Sequence, residues 1–440
     1  MPGDSQEATI GEVCSVGDGA HAKVARQEEG ILYLTSKNIG FGSLKLDTVD
    51  YISDEDFERL FSKSLRAVNR LIPGDILIGI IGTFGNAYQY KESDHFGISS
   101  SIAILRPDPS ILDSGFLYYV VTSTAFKDTH AAYKSGSVQG YTNIPTIKSL
   151  PIVLPPLAEQ KAIAHILGTL DDKIELNQQM NQTLEAIAHA LFKSWFIDFD
   201  PVRAKLDGRQ PAGMDAETAA LFPAVFEDLA LGNIPKEWNV GVIDNLIDIL
   251  SGGTPKTSVP EYWEGNIPWF SVKDAPTDSN VYVLETEKYI TEAGVNNSST
   301  QILSEGATIV SARGTVGRLA LVGVPMAMNQ SCYGIKGKEG YPDLFTYYFL
   351  HSAIVSLQQQ THGTVFETIT RQTFTTVKSI NPPAAIAQAF NKAVQPSLHR
   401  VRSNLFEVGS LTSIRDALLP KLLSGEIRVQ DAEKLVEAVT

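Results

Sequence analysis

The longest regular pattern in the chain is a run of apolar and near-apolar positions that begins after Pro155 and ends near Phe196. Steps of four and three residues alternate along it, which is the spacing of a long helix that packs against a partner helix. Two prolines at its start fit the first turn of a helix. The pattern predicts a helix roughly 60 Å long at about 1.5 Å per residue.

A second run of the same kind lies near the C-terminus, from Pro382 to Leu423. A constant shift of 227 residues relates the two runs and carries Pro155 to Pro382 and Leu191 to Leu418. Such constancy favours an internal duplication over two unrelated amphipathic helices. We therefore predict that the two helices pack against each other along their apolar seams.

Polar and helix-breaking residues modify this prediction. Asn177 and Asn181 lie on the first seam, where a buried amide costs stability and fixes the register of packing. Pro396, Gly409 and Pro420 predict that the second helix is kinked. The predicted seam positions that hold the pair together are Leu167, Leu170, Ile174, Asn177, Asn181, Leu184, Leu191, Val394, Leu398, Val401, Leu405 and Leu419.

A segment of mixed α/β pattern precedes each long helix. In the first segment, strands are predicted at Ile31–Thr35, Asp75–Ile81 and Ile98–Leu105, and a helix at Asp54–Leu71. The second segment repeats the first, because a strand followed by Gly-Thr-x-Gly occurs both at Gly82–Gly85 and, in the second segment, at residues 314–317. Residues 31–38 likewise match residues 267–274.

The repeat predicts the order domain, helix, linker, domain, helix, and the predicted fold class is α+β. We expect a first domain over residues 1–153 and the first long helix over 154–198. A linker with a short helix near Ala219–Leu231 would cover residues 199–233. The second domain is expected over 234–381, and the second long helix with a C-terminal tail over 382–440.

Composition and charge limit the class of protein. The chain has 440 residues, 43% hydrophobic and 20% charged, as is typical of a soluble globular protein with several domains. No signal peptide or membrane-spanning run is recognisable, and two cysteines, Cys14 and Cys332, suit a reducing cytoplasm. The net charge of −14 argues against nucleic-acid binding by the whole surface but leaves room for a local basic face.

Motifs of catalysis are weak in this sequence. Asn381-Pro-Pro-Ala384 resembles the Asn-Pro-Pro-aromatic motif of adenine methyltransferases, but the aromatic residue that would stack on a flipped base is replaced by Ala384. Helix initiation also accounts for the two prolines. Gly337-Lys338 lacks the rest of a phosphate-binding loop, and the eight histidines show no metal-ligand spacing. We expect no catalytic residue, no bound metal and no cofactor in this chain.

Candidate nucleic-acid contacts fall in three kinds of segment. Basic residues of the predicted helix at Asp54–Leu71 step by four, three and four, so they would share one face. Arg313 and Arg318 flank the second Gly-Thr-x-Gly turn, and polar loops precede each long helix. The alternatives are a solvated helix face, simple turns that need positive φ, and ordinary polar loops.

Amides, Arg and Glu are the side chains that read base edges, and Lys and Arg contact phosphates. The candidate DNA-binding residues are Lys37, Arg59, Lys63, Arg66, Arg70, Thr83, Ser137, Gln139, Tyr141, Asn143, Lys273, Arg313, Thr315, Arg318, Thr364, Glu367, Thr370 and Arg371.

Three stretches resemble a known family. LPPLAEQKAIAHILGTLDDKIELN, ALFKSWFIDFDPVRAK and the C-terminal RDALLPKLLSGEIRV are similar to the central and distal conserved regions of type I restriction–modification specificity subunits. The duplicated α/β segments with their Gly-Thr-x-Gly turns resemble the target recognition domains of that family. The resemblance covers essentially the whole chain.

The resemblance implies two target recognition domains that each read one half of a bipartite site on double-stranded DNA. It implies two antiparallel helices that separate these domains and dock two methyltransferase subunits. Restriction and translocase subunits would complete the complex, and S-adenosylmethionine, ATP and magnesium would be bound by these partners. The chain itself would be non-catalytic.

The residues alone leave other functions open. A pseudo-twofold protein with two similar readers on a spacer suits a split DNA site. The alternatives are a duplicated scaffold or adaptor that binds protein rather than DNA, and an enzyme that acts alone.

Overall fold

The computed structural model describes residues 5–61, 68–82, 84–133, 142–229, 231–276, 280–338, 340–360 and 368–437. The chain divides into two compact units. The first unit is Met1–Ile174 with Gly409–Thr440, and the second unit is Glu175–Val408. Each unit thus combines one mixed α/β domain with parts of both long helices.

The domain of the first unit consists of short strands and helices. In chain order these are β1 (Gln6–Thr9), α1 (Ile10–Val13), β2 (Cys14–Asp18), β3 (Ile31–Leu34), β4 (Asp50–Ile52), α2 (Asp54–Phe61), β5 (Ile76–Gly79), β6 (Ala87–Gln89), β7 (Phe96–Ile98), β8 (Ile102–Pro107), α3 (Ser114–Thr122), α4 (Thr124–Tyr133), α5 (Ile144–Ser149) and β9 (Pro151–Leu154). The first long helix, α6 (Leu157–Phe196), follows directly.

The second unit continues from α6 through two short helices into the second domain. Its elements are α7 (Asp200–Leu206), α8 (Ala216–Ala220), β10 (Phe226–Leu229), β11 (Gly232–Pro235), β12 (Asn239–Val242), β13 (Ile247–Ser251), β14 (Trp263–Phe270), β15 (Tyr282–Val283), β16 (Tyr289–Ile290), α9 (Glu292–Asn296), β17 (Thr308–Ser311), β18 (Leu319–Val322), β19 (Ala327–Met328), β20 (Cys332–Gly337), α10 (Asp343–Gln360), α11 (Arg371–Thr376) and β21 (Lys378–Asn381). The chain ends with the second long helix, α12 (Ala384–Ser424), and α13 (Val429–Glu437).

The sheets of the two domains share one strand order, with β15 as an additional edge strand in the second domain, and this confirms the predicted duplication. The first domain contains the sheets β2-β8-β5-β6, β4-β3-β7 and β1-β9, and the second contains β13-β20-β17-β18-β15, β16-β14-β19 and β12-β21. In both three-stranded sheets the central strand pairs antiparallel with one neighbour and parallel with the other. The α+β fold class is therefore confirmed.

Each domain encloses its own apolar core. Leu34, Leu77 and Ile104 are fully buried in a core formed by the sheets of the first domain. In the second unit, Phe345 and Phe390 belong to a larger core that includes α6, α10 and α12. Residues of the predicted linker contribute to that core, since Val202 and Phe222 are almost completely buried there.

The long helices run antiparallel within the second unit. Asn181 of α6 contacts Asn404 of α12, and further along α6 the ring of Phe192 lies 5.5 Å from that of Phe390. Residue numbers rise along α6 as they fall along α12, so the helices are antiparallel. Within the first unit, Arg415 of α12 contacts Asp171 of α6.

The helix α12 extends through Pro396, Gly409 and Pro420, because a long buried face stabilises it despite lost helix propensity. The kink expected in this helix stays a prediction. Two other local predictions are wrong. The helix predicted at Ala219–Leu231 ends at Ala220, shortly before Pro223, and a β-hairpin follows.

The strand predicted at Ile98–Leu105 is two strands, β7 and β8, with a turn between them. Ser99 and Ser101 hold this turn, because the Ser99 and Ser101 hydroxyls lie 2.6 Å apart and the Ile102 N–H donates to Ser99 O. The sequence prediction joined the apolar residues on both sides of the three serines into one strand, although the serines form a turn between two strands.

Candidate nucleic-acid interface

The second Gly-Thr-x-Gly turn is a well-defined loop after β17. Gly314 and Gly317 have φ of +78° and +85°, which other residues rarely adopt. The Ser311 hydroxyl accepts a hydrogen bond from the Arg318 N–H at 2.8 Å and donates one to Thr315 O at 2.5 Å. Arg313, Thr315 and Arg318 are exposed, so a tied backbone presents two guanidinium groups to solvent.

The first Gly-Thr-x-Gly turn has the same backbone requirement, with φ of +88° at Gly82 and +96° at Gly85. Here an aromatic contact holds the turn, since the Phe84 ring stacks on His130 with centroids 3.6 Å apart. His130 Nε2 in turn lies 2.7 Å from the Thr142 hydroxyl. The turn after β5 and the residue that precedes α5 by two positions are thereby joined.

One backbone hydrogen bond recurs in both units and ties the turn to the segment before the following helix. In the first unit the Thr142 N–H donates to Ile80 O at 3.0 Å. In the second unit the Ile369 N–H donates to Ala312 O at 2.9 Å. Both domains therefore tie the glycine turn to the residues just before the following short helix.

Lys37 and Lys273 occupy matching single-turn 3-10 helices, Ser36–Asn38 and Val272–Asp274. In each, the side chain of the third residue accepts a hydrogen bond from the preceding backbone N–H: Asn38 does so from Thr35, and Asp274 from Ser271. Lys273 is largely exposed, and its ammonium lies 3.8 Å from Glu287. Lys37 is also exposed.

The residues that begin α5 and α11 have structural partners. The Asn143 side chain caps α5 by accepting a hydrogen bond from the Thr146 N–H at 2.8 Å. Thr370 is the N-cap residue of α11. The Arg371 guanidinium donates to Ile249 O and to the Ser251 hydroxyl, both at 3.1 Å, so this exposed side chain already spans to the end of β13.

The predicted basic face of a helix at Asp54–Leu71 is only partly found. Arg59 lies on α2, where it forms an ion pair with Asp56 one turn earlier. Arg70 lies in a turn rather than on that helix, and its backbone carbonyl accepts a hydrogen bond from Arg106. The prediction that Arg59 and Arg70 share one helical face is therefore wrong.

Eight candidate residues lie outside the described residues. They are Lys63, Arg66, Thr83, Ser137, Gln139, Tyr141, Thr364 and Glu367.

A pair of loops that the sequence reasoning missed follows β2 and β13. The Gly252 backbone passes so close to the end of β19 that an added Cβ would lie 1.9 Å from Asn329 O. Gly19 in the first unit is equally confined, because its added Cβ would lie 2.3 Å from Ile98 O. Comparing the residues after β2 with those after β13, at a shift of 233, could have revealed them.

The predicted seam residues are buried in their own units. In the first unit these are Leu167, Leu170, Ile174 and Leu419. In the second unit Val394, Leu398 and Val401 are buried, and Leu184, Leu191 and Leu405 pack against the same core. Asn177 and Asn181 are also buried, and Asn404 Nδ2 donates to Asn181 Oδ1 at 2.8 Å.

A cavity of about 440 Å³ with a mixed polar and apolar lining lies in the second unit, between α6, α10 and the loop before β15. Glu185, which lines it, is 6% exposed and accepts a hydrogen bond from the Val281 N–H at 3.2 Å. Burial raises the pKa of this carboxyl to about 7, although the hydrogen bond from Val281 opposes the shift. Burial also lowers the pKa of His189 to about 4, with a smaller contribution from nearby His351.

Across the described ranges, no group of three or more His, Cys, Asp or Glu side chains is arranged to hold a metal ion. No helix in the described part of the chain is long and apolar enough to cross a membrane. The exposed loops around the two glycine turns, with their Arg, Lys, Thr and amide side chains, are instead suited to phosphate and base contacts.

Comparison with known proteins supports this assignment. A family described as the type I restriction modification DNA specificity domain matches residues 2–186 and 235–392, one match for each half of the chain. The HindI specificity subunit of Haemophilus influenzae is 29% identical over 400 residues, which cover 80% of this chain and 86% of that protein. The MjaIX specificity subunit of Methanocaldococcus jannaschii is 27% identical over 322 residues, or 72% of this chain and 70% of that one.

A solved structure has a similar fold. The type I restriction–modification S subunit from M. genitalium aligns over 95% of this chain and 96% of its own length, with a TM-score of 0.58 at 15% identity.

Proposed function

Because this chain belongs to the type I restriction–modification DNA specificity family, a non-catalytic family whose general role is DNA recognition, we propose that it directs a complex to a bipartite DNA target. Each α/β domain reads one half of that target. The loops around Gly82–Gly85 and Gly314–Gly317 form the reading surface of each domain.

One observation supports this proposal above the others. The two domains repeat the same hydrogen-bonded loop framework, in which Thr142 bonds to Ile80 and Ile369 bonds to Ala312, yet the side chains on the framework differ. A duplicated protein scaffold has no need for one backbone with two sets of exposed polar side chains. Two domains that read different sequences on one duplex need one backbone with two sets of polar side chains.

Specificity subunits of this family work in complexes with other subunits. We propose that two methyltransferase subunits methylate adenine at the bound site and that restriction and translocase subunits cleave the DNA. S-adenosylmethionine, ATP and magnesium belong to those subunits in this proposal. A cytoplasmic location is also proposed, where Cys14 and Cys332, both free and buried, stay reduced.

The long helices α6 and α12 are proposed to set the gap between the two half-sites. Support comes from the continuous helical span of forty residues in α6 and forty-one in α12, and from the buried seam in each unit. Helices packed along a seam bend little, so they keep the distance between two DNA-reading domains more constant than a flexible linker does.

The test is a methylome of a host that carries the partner subunits with and without this chain. We expect a bipartite methylated motif only when the chain is present. Inserting one heptad at matching points of α6 and α12 adds roughly 10 Å to each helix, or about three base-pair steps.

The heptad variant should keep both half-sequences and lengthen the gap. A methylated motif that persists without the chain would refute the proposed function. An active heptad variant with an unchanged gap would refute the spacer role and leave DNA recognition intact.

A further inference from the structure

The segment Asn329–Ser331, between β19 and β20, lies where several loops of the second unit meet. The Ala312 N–H, just before the glycine turn, donates to Ser331 O at 2.7 Å. The Asn329 N–H donates to Phe270 O at 2.9 Å, which ties the segment to the end of β14 and so to the turn that carries Lys273. This segment therefore occupies the centre of the proposed reading surface.

Gln330 is the exposed residue at this centre. Its Oε1 accepts a hydrogen bond from the Thr254 hydroxyl, which fixes the orientation of the amide group. Among the described residues its Nε2 has no hydrogen-bond partner. An oriented amide with a free donor and a second acceptor lone pair matches the N7 acceptor and N6 donor of adenine in the major groove.

Lys256 lies two residues after Thr254 and is exposed. Its backbone carbonyl accepts hydrogen bonds from the Val259 N–H at 3.2 Å and from Trp263 Nε1 at 3.3 Å, so the position of this residue is fixed. Within the described ranges its ammonium makes no ion pair. A lysine on a fixed backbone, two residues from the hydroxyl that orients the amide, is suited to a phosphate contact next to a base contact.

The close approach of Gly252 to Asn329 is what brings this loop to the centre of the surface. The neighbouring Gly253 N–H donates to Met328 O at 3.0 Å, and a side chain at position 252 would collide with the Asn329 backbone. Glycine is needed here for space rather than for positive φ. The loop after β13 and the segment after β19 therefore act as one rigid unit.

The first unit has the same framework with other side chains. The Ala20 N–H donates to Ile98 O at 2.9 Å, which matches the bond between Gly253 and Met328. The Ile80 N–H donates to Ser101 O at 2.9 Å, which matches the bond between Ala312 and Ser331. Ser100 thus takes the place of Gln330, and Lys23 follows in the place of Lys256.

We propose that Gln330 reads an A·T base pair in the second half-site, that Thr254 orients its amide, and that Lys256 contacts the adjacent phosphate. The inference rests on the proposed function and deepens it by naming a reading residue. It also explains how one framework serves two half-sites, since a hydroxyl replaces the amide in the first unit.

The test uses the assembled complex of this chain with its methyltransferase subunits. The affinity of the complex is measured for a duplex that carries the target motif. It is then measured for a set of duplexes in which each base pair of the second half-site is replaced in turn. Gln330→Ala should reduce discrimination at one A·T position by about 5- to 150-fold, the range expected for one bidentate base contact. Gln388→Ala, an exposed glutamine on α12, is the matched control and should change no position.

Two further variants keep the test informative. Gln330→Glu should favour C at the same position, because a carboxylate accepts from the cytosine amino group. Lys256→Ala should weaken binding to all sequences equally and reduce the salt dependence by about one ion. The control for Lys256 is Lys236→Ala, which changes an exposed lysine beyond β11.

Unchanged discrimination by both Gln330 variants would overturn the inference while the proposed function stands. A relaxed position that holds a G·C pair would overturn the adenine assignment. A wild-type complex that binds all duplexes equally would instead overturn the proposed function.

Discussion

In the first unit a tyrosine of α3 meets the long helices at an ion pair, whereas in the second unit the matching tyrosine of α10 meets them among aromatic rings. The Tyr119 hydroxyl donates to Asp171 at 2.7 Å, and Asp171 forms an ion pair with Arg415 at 2.8 Å. The Arg415 guanidinium also lies 5.2 Å from the centre of the Phe41 ring. The side chains of Tyr119, Asp171 and Arg415 thus form one connected polar cluster.

The equivalent positions in the second unit carry no charge. The shift of 227 residues carries Asp171 to Leu398 and Ala188 to Arg415. Leu398 and Ala188 are both fully buried. The tyrosine that matches Tyr119 is Tyr348, and its buried hydroxyl has no hydrogen-bond partner among the described residues.

The difference shows which part of the duplicated unit is constrained. The backbone framework of the loops is the same in both units, but the matched tyrosine contacts an ion pair in one and aromatic rings in the other. A partly buried ion pair and a well-packed cluster of rings can give similar stability, because desolvation offsets much of the attraction between charges. The duplication therefore retains shape more strictly than it retains chemistry.

The largest effect is expected from changing the first unit towards the second. Asp171→Leu leaves the Tyr119 hydroxyl without its acceptor and leaves Asp416 as the remaining partner of the Arg415 guanidinium. It should lower the free energy of unfolding by about 3 kcal/mol. Asp171→Leu with Arg415→Ala removes both charges and should recover part of that loss. Urea unfolding of the four chains of this double-mutant cycle measures the coupling.

A chain in which the two changes are simply additive would show that the ion pair contributes nothing beyond its separate side chains. Leu398→Met in the second unit is the control, since it alters a matching position without adding a charge.

A smaller effect is expected on the pH dependence of stability, and it comes from Glu185 in the second unit. The carboxyl of Glu185 has a pKa of about 7, above its ordinary value of 4.5, because of burial. The folded protein then binds more protons than the unfolded chain between these values, so this group lowers stability as pH rises from about 4.5 to 7. Glu185→Gln keeps an acceptor for the Val281 N–H and removes the charge.

The variant should match wild type near pH 4.5 and exceed it by on the order of 2 kcal/mol above pH 7. His189 and His351, which line the same cavity, are present in both chains, so the comparison at each pH isolates the change at Glu185. A constant difference between pH 4.5 and 8 would show that Glu185 is not the titrating group.

The smallest effect concerns the matched tyrosines. Tyr119→Phe removes a hydrogen bond to a charged acceptor and should cost about 1–2 kcal/mol. Tyr348→Phe removes a buried hydroxyl without a partner in the described residues and should be neutral or slightly stabilising. Hydrogen exchange of peptides from α3 and α10 would report the stability of each unit separately. Equal losses of protection in the two variants would contradict the difference between the units.

Periodic patterns predicted the large features of the fold well. The apolar steps after Pro155 gave the position of α6 to within two residues at its start, because a long buried face is recorded directly in the sequence. The low helix propensity of Pro396 did not end α12, because Val394 and Leu398 on either side of it are buried.

The reading surface was predicted less completely. Glycine turns were found because their motif repeats, but Gln330 and Lys256 were missed because their place depends on the close approach of Gly252 to Asn329. That contact joins residues 77 positions apart and leaves no periodic signal. Arg371 was predicted from its residue type, whereas its bonds to Ile249 and Ser251 depend on the tertiary fold.

The central claim is that each unit reads its own half of the DNA target, and a domain exchange tests it most directly. Residues 1–153 are replaced by the matching residues of a family member with a different methylated motif, and the methylome of a host with the partner subunits is sequenced. The account predicts that one half of the motif changes to that of the donor while the other half and the gap stay the same. A motif that changes in both halves, or in neither, would contradict it.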